Sequence, residues 1–168
     1  EMISLKRSLS KKMKIGVISD THRYTSIISK AIEVFDKPDL IIHLGDNVQD
    51  ICSIEKFYKG RIINVRGNCD FSTDVPEERI EDIAGKRFFI THGHRYDVKY
   101  DILRIKYRAM ELNADVVLFG HSHVSMIDYD EGIWFINPGS PSYPRNGSRS
   151  VAVIKIENER INASIKEI

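Results

Sequence analysis

Cysteine is scarce: 168 residues include only Cys52 and Cys69. Two isolated thiols without paired spacing exclude a disulfide framework and a cysteine-rich zinc site. They fit a reducing, cytoplasmic setting. An excess of one charge is lacking too, since 25 Lys and Arg stand against 24 Asp and Glu for a formal net charge of +1. That balance excludes the basic footprint of a general nucleic-acid or membrane-surface binder. No apolar run approaches the roughly 18 to 20 residues of a membrane span. The basic N-terminus is not followed by the apolar stretch of a secretory leader.

What is present is enough chain for one domain with a core. Residues 1–12 are short of apolar periodicity and carry Lys6, Arg7, Lys11 and Lys12. They are read as an N-terminal extension, disordered or a remnant, with the domain proper over 13–168 and Met13 as a natural start. From Lys14 the pattern is strand, polar loop, helix, repeated. Ile15 to Ile18, Leu40 to Ile42, Arg61 to Val65 and Val116 to Phe119 are β-branched or apolar runs; residues 25–35 carry apolar side chains at helical spacing. A short helix is expected near 48–57 and a longer one over 99–112, with Ile102, Leu103, Tyr107 and Met110 toward the core. Arg79 to Ile83 and Lys86 to Thr91 form a pair hinged at Gly85. Two further hairpins turn at Asp130-Glu131-Gly132 and Glu157-Asn158-Glu159. Near-continuous apolar strands between helices indicate sheets covered on both faces, an α/β domain with two sheets face to face and helices outside.

The chain's six histidines are all placed in or beside short polar motifs that end apolar runs. In order these are Asp20-Thr21-His22, His43-Leu44-Gly45-Asp46-Asn47, Gly67-Asn68-Cys69-Asp70, His92-Gly93-His94 and Gly120-His121-Ser122-His123. In open α/β sheets, ligands bind beyond the carboxyl ends of strands, so these motifs should converge on one edge. Carboxylate, imidazole and amide groups gathered there suit a two-metal hydrolytic site. A lone Gly-Asp or His-x-His is common; the ordered set, each member after a strand, is specific.

That set, followed by Asn137-Pro138-Gly139-Ser140, resembles the calcineurin-like metallophosphoesterases, and more narrowly the small YfcE-type phosphodiesterases. The likeness runs from Met13 to the C-terminus. It implies a four-layer αββα sandwich of two mixed sheets and a dinuclear metal centre in a metal-dependent phosphodiesterase acting on small phosphate esters. It places Asp20, His22 and His123 on one metal, Asn68, His92 and His121 on a second, and Asp46 between them. Asp46, Asn68 and His92 would then position metal and phosphate. An oxygen and imidazole set without thiolate suits Mn, the first choice, or Ni, Co, Fe and Zn. The expected reaction is in-line attack on phosphorus by a metal-bound hydroxide.

One departure from larger relatives stands out: Cys69 follows Asn68 where many carry a histidine that can protonate the leaving oxygen. GNCD is a mark of the small subfamily. Cys69 as nucleophile and His94 as donor to a substrate oxygen are the weaker catalytic readings. His43 is either an orienting residue behind the ligands or a satisfied core histidine. Asp70 is read as holding a loop, and Asn137 to Ser140 as a turn seating the last strands. Arg23 and Arg145 are candidate phosphate contacts or solvated surface. Phosphomonoesterase or nucleotidase chemistry, and a non-catalytic scaffold resembling the retromer subunit Vps29, are the alternatives. Nuclease activity would need a basic groove, which the balanced charge does not favour. A homo-oligomer remains open, through Tyr143, Trp134 or residues 124–126.

Overall fold

The computed structural model describes residues 12–168. Of the extension expected over 1–12, residues 1–11 lie outside the described residues and Lys12 is the first described. Lys12 opens β1 (Lys12–Ile18), pairs with Ile156's neighbour Glu157 across the sheet, and makes an ion pair with it at 2.9 Å.

The chain continues through α1 (Ser26–Phe35), β2 (Leu40–His43), α2 (Ile51–Phe57), β3 (Arg61–Asn64), β4 (Glu78–Ile83) and β5 (Lys86–Thr91). Then follow α3 (Leu103–Glu111), β6 (Val116–Leu118), β7 (Met126–Asp130), β8 (Ile133–Asn137), β9 (Ser150–Glu157) and β10 (Arg160–Glu167). One five-stranded sheet has the order β10-β9-β1-β2-β3 and the other β4-β5-β6-β8-β7. Both are mixed: β1, β2 and β3 run parallel in the first, β5, β6 and β8 in the second, with antiparallel strands at their flanks. The hairpins β4–β5, β7–β8 and β9–β10 turn at Ala84-Gly85, Glu131-Gly132 and Asn158-Glu159, each with two left-handed residues. That is the type I′ arrangement whose twist matches paired strands.

The side chains fall into three apolar clusters, and these define the layers. Between the sheets lie Ile15, Val17, Leu40 and Ile42 of the first against Phe88, Ile90, Leu118 and Ile136 of the second. On the first sheet's outer face, Ile41, Val151 and Val153 meet Ile28, Ala31 and Phe35 of α1 and Ile54 of α2. On the second sheet's outer face, Phe89, Val117 and Phe135 meet Ile105 and Ala109 of α3. The result is the expected αββα sandwich. It also explains β9, where residues 150–154 are buried without alternation because both faces are covered.

The face of α3 is not the one the sequence reading chose. Ile105 and Ala109 are fully buried, with Ile102 packed beside them. Leu103, Tyr107 and Met110 are 52, 58 and 45% exposed. The helix carries two apolar stripes at helical spacing, and the narrower one wins because Ala109 lets the helix sit close on the sheet. The helix itself begins only at Leu103.

Candidate active site

Every parallel strand of both sheets delivers its polar motif to the same edge. β1 ends at Asp20 and His22, β2 at Asp46, β3 at Asn68, β5 at His92, and β6 at His121 and His123. The loops are tied together by their backbones: Asp20 N–H donates to Gly45 O at 3.0 Å and His22 N–H to Asp46 O at 3.1 Å. Gly67 permits this closeness, since a Cβ there would lie 2.2 Å from Asp46 Oδ1. Asp20, His22, Asp46, His121 and His123 all have left-handed backbone, with φ between 45° and 65°. Such conformations cost on the order of 1 kcal/mol each for non-glycine residues and concentrate where function demands them.

The side chains gather into three overlapping groups. Asp20, His22 and His123 form one and Asp46, His92 and His121 another, with His22, Asp46 and Cys69 linking them; the potential ligand atoms of each lie within 4.8 Å of one another. Asp46 Oδ2 is common ground, 3.4 Å from His92 Nε2 and 3.8 Å from His22 Nε2. The His22 and His123 Nε2 atoms face each other at 3.4 Å. His92 Nδ1 lies 2.7 Å from Leu44 O, and His123 Nδ1 lies 2.8 Å from Tyr143 O. A carbonyl only accepts, so each Nδ1 carries a proton and Nε2 is the atom that each ring turns toward the carboxylates.

Two buried atoms are left without a hydrogen bond at the centre, Asp20 Oδ1 and His92 Nε2. His123 Nε2 stands 3.1 Å from that Asp20 oxygen. Unpaired buried acceptors are costly, and a cation between them would satisfy all of them at once. The donor set therefore fits divalent metal ions, with His92 and His123 oriented through their other nitrogens as metal-binding imidazoles usually are.

Carboxylates and imidazoles this close favour each other's charged forms. Burial alone would raise the Asp20 pKa, but contact with His123 and the charge of His92 bring it below its usual value. Asp46 is likewise held well below the carboxylate range: burial opposes this, and His92 with the Cys69 N–H outweighs it. Burial pulls the His92 pKa down, yet Asp20 and Asp46 raise it on balance. His123 is raised by its contact with Asp20. His121 goes the other way, to about 4, through burial and the charge of His92.

The remaining sequence-predicted residues sort themselves out. Asn68 is exposed, its amide nitrogen 3.7 Å from Cys69 Sγ. Burial, then neighbouring Asp46, pushes the Cys69 thiol up to about 11. A neutral thiol is a poor nucleophile, which does not favour that reading of Cys69. His94 stacks loosely at the rim, 5.5 Å from the His92 ring, with a buried Nδ1 lacking a partner. Burial and His92 lower its pKa. Arg145 lines an open cleft with His22, His123, Tyr143 and Pro144. Arg23 is exposed, and it is its backbone N–H that is engaged, by Asp50 Oδ2 at 3.0 Å.

A supporting layer holds these groups. Asp70 accepts from Asp46 N and Gly67 N through Oδ2 and from Val48 N through Oδ1, each at 2.8 Å. His43 is buried and satisfied on both sides: Gly45 N–H donates to its Nδ1 at 3.1 Å, so its Nε2–H donates to Thr21 Oγ1 at 3.1 Å. Thr21 in turn donates to Asp50 Oδ2 at 2.5 Å. Asn137 donates to Gly120 O and Ser122 Oγ, both at 3.0 Å. Ser140 Oγ donates to Asp20 O at 2.9 Å, and Ser142 Oγ to Thr21 O at 2.7 Å. Sequence reasoning missed Ser19, whose Oγ donates to Asp20 Oδ2 at 2.6 Å, the role of Thr21, and Asp50 and Ser142. Asp50 alone left a trace, as a second acid four residues past Asp46.

Comparison with known proteins identifies the family. Residues 13–159 match the calcineurin-like phosphoesterase superfamily domain, and the chain belongs to that family. It is similar to the probable metallophosphoesterase YsnB of Bacillus subtilis, at 35% identity over 88% of this chain and 86% of that protein. It is also similar to the phosphodiesterase MJ0936 of Methanocaldococcus jannaschii, at 31% identity over 92% of this chain and all of that protein. Among solved structures, a conserved Streptococcus pneumoniae protein described as a predicted phosphoesterase superposes with a TM-score of 0.79 at 30% identity, covering 94% of this chain and 90% of that one. Vps29 of Entamoeba histolytica shares the fold, with a TM-score of 0.69 over 93% of this chain and 99% of that one, at 16% identity. No helix among the described residues is long and apolar enough to cross a membrane.

Proposed function

We propose that this metallophosphoesterase is a phosphodiesterase that works with two divalent ions, manganese first among them. The observation that carries the reading is the pair of clusters joined through Asp46, whose Oδ2 lies 3.4 Å from His92 of one and 3.8 Å from His22 of the other, with Asp20 Oδ1 and His92 Nε2 buried and unpartnered. Asp20, His22 and His123 would hold one ion, and Asn68, His92 and His121 the other, with Asp46 reaching both. When bound, such a pair supplies an activated water for in-line attack on phosphorus and neutralises charge on the phosphoryl oxygens.

The chain's own residues do the positioning. Leu44 O and Tyr143 O fix the rings of His92 and His123 so that Nε2 points inward. Cys69 N–H holds Asp46 Oδ1 at 2.9 Å and leaves Oδ2 free. The residue after Asn68 is a neutral thiol, which donates a proton poorly to an alkoxide. Diesters with stable leaving groups are accordingly the favoured substrates over monoesters. Relatives named as phosphodiesterases support the same choice. Two exposed free cysteines fit a cytoplasmic setting.

The test is hydrolysis of bis(p-nitrophenyl) phosphate and of p-nitrophenyl phosphate by chelator-treated protein, with and without Mn²⁺. Metal-restored turnover that favours the diester is expected. A preference for the monoester would move the reading to a phosphomonoesterase. Metal binding without turnover on either ester would favour a scaffold.

A further inference from the structure

The cleft beside His22 and His123 has an aromatic wall that no step above uses. Tyr143 is 60% exposed, and its ring stands nearly perpendicular to the His22 imidazole, with centroids 5.8 Å apart. An exposed tyrosine is ordinarily unremarkable, but the backbone that carries this one is fixed. Tyr143 N–H donates to Ser140 Oγ at 2.9 Å, and its carbonyl accepts from His123 Nδ1 at 2.8 Å. Two residues on, Arg145 N–H donates to His123 O at 3.0 Å. Ser140 and Ser142 pin the same loop to the backbone carbonyls of Asp20 and Thr21. The wall is thus built onto the ligand-bearing loops themselves, and Arg145 borders the same cleft.

A rigid aromatic ring beside a cation, at the mouth of a phosphate-ester site, suits one chemical class. The ring offers its π-face to a planar group, and the guanidinium offers charge to a phosphate oxygen or a base edge. Aliphatic esters gain nothing from such a wall. Resting on the phosphodiesterase reading, we infer that the group retained next to phosphorus is a planar aromatic one, a nucleoside, and that Tyr143 determines this specificity. The ring binds the retained group; hydrolysis of the ester bond is left to the site behind it.

The experiment compares two diesters with the same leaving group: the p-nitrophenyl ester of a nucleoside 5′-monophosphate and methyl p-nitrophenyl phosphate. The readout is the ratio of their kcat/KM values with Mn²⁺ present. Wild-type protein should prefer the nucleoside ester by about tenfold or more, the scale of base stacking on one aromatic side chain. Tyr143→Leu should collapse the ratio, chiefly through KM, and Tyr143→Phe should keep it. No preference in the wild type, or a Tyr143→Leu variant that slows both esters equally, would overturn the inference. If neither ester turns over, it is the phosphodiesterase reading that fails. Calorimetric binding of a nucleoside monophosphate against methyl phosphate then decides the wall alone. A preference abolished by Tyr143→Leu supports it, and equal affinities refute it.

Discussion

Asp70 offers a test of how the site is held that does not depend on any metal. Its carboxylate is 5% exposed and accepts three backbone N–H groups at 2.8 Å, from Asp46, Gly67 and Val48. Removing it in Asp70→Ala strands those donors, each at a cost of about 1 to 3 kcal/mol where water cannot follow. A loss of at least about 3 kcal/mol follows, against a total stability on the order of 5 to 15 kcal/mol. Asp70→Asn is gentler and more informative. Its one oxygen can keep Asp46 N–H and Gly67 N–H, while its amide group faces the Val48 N–H donor to donor. The expected cost is about 1.5 to 3 kcal/mol, that of one charge-assisted bond. Urea unfolding of metal-free protein measures it: with a slope of about 2 kcal/mol per molar, the midpoint should fall by roughly 1 M. Metal affinity should fall in the same variant, because the Asp46 turn loosens. A loss below about 1 kcal/mol in Asp70→Ala, with unchanged metal affinity, would refute the idea that this carboxylate sets the Asp46 loop.

Two further outcomes follow from the same framework. His43 is fully buried with a pKa lowered by burial, so below pH 6.5 the unfolded chain takes up a proton that the folded chain refuses. Stability should therefore fall with falling pH by up to about 1.4 kcal/mol per unit from this group alone. The slope of unfolding free energy between pH 6.5 and 5 should be shallower by that amount in His43→Leu, and an unchanged slope would contradict the neutral assignment. Gly67→Ala would set a Cβ 2.2 Å from Asp46 Oδ1 and 2.9 Å from its backbone nitrogen. Overpacking of about 1 to 3 kcal/mol is expected, with Mn²⁺ affinity reduced at least about tenfold by calorimetry; retention of affinity would show that Asp46 can shift without loss.

The parts that sequence revealed are those in which one residue type has one reason to be where it is. Histidines and aspartates one to three positions past apolar strands had to meet at one sheet edge, and they do. Hairpins at 84–85, 131–132 and 158–159 were marked by turn residues that accept left-handed backbone. What escaped was decided by tertiary contact. On α3 the stripes through Ile105 and through Tyr107 are equally periodic, and only the sheet beneath selects the first. Ser142 and Thr21 are residues common in any loop; each acts here because another loop brings a partner within reach. Arg23 and Arg145 looked alike in sequence, and only the fold puts Arg145 on the cleft.

The most direct measurement of the central claim is the metal stoichiometry of chelator-treated protein titrated with Mn²⁺ by calorimetry, alongside turnover of bis(p-nitrophenyl) phosphate. Two ions per chain, with turnover rising as the second binds and both lost in Asp46→Asn, is the result the shared carboxylate predicts. A single ion sufficient for full turnover, or binding of both ions undisturbed by Asp46→Asn, would contradict it.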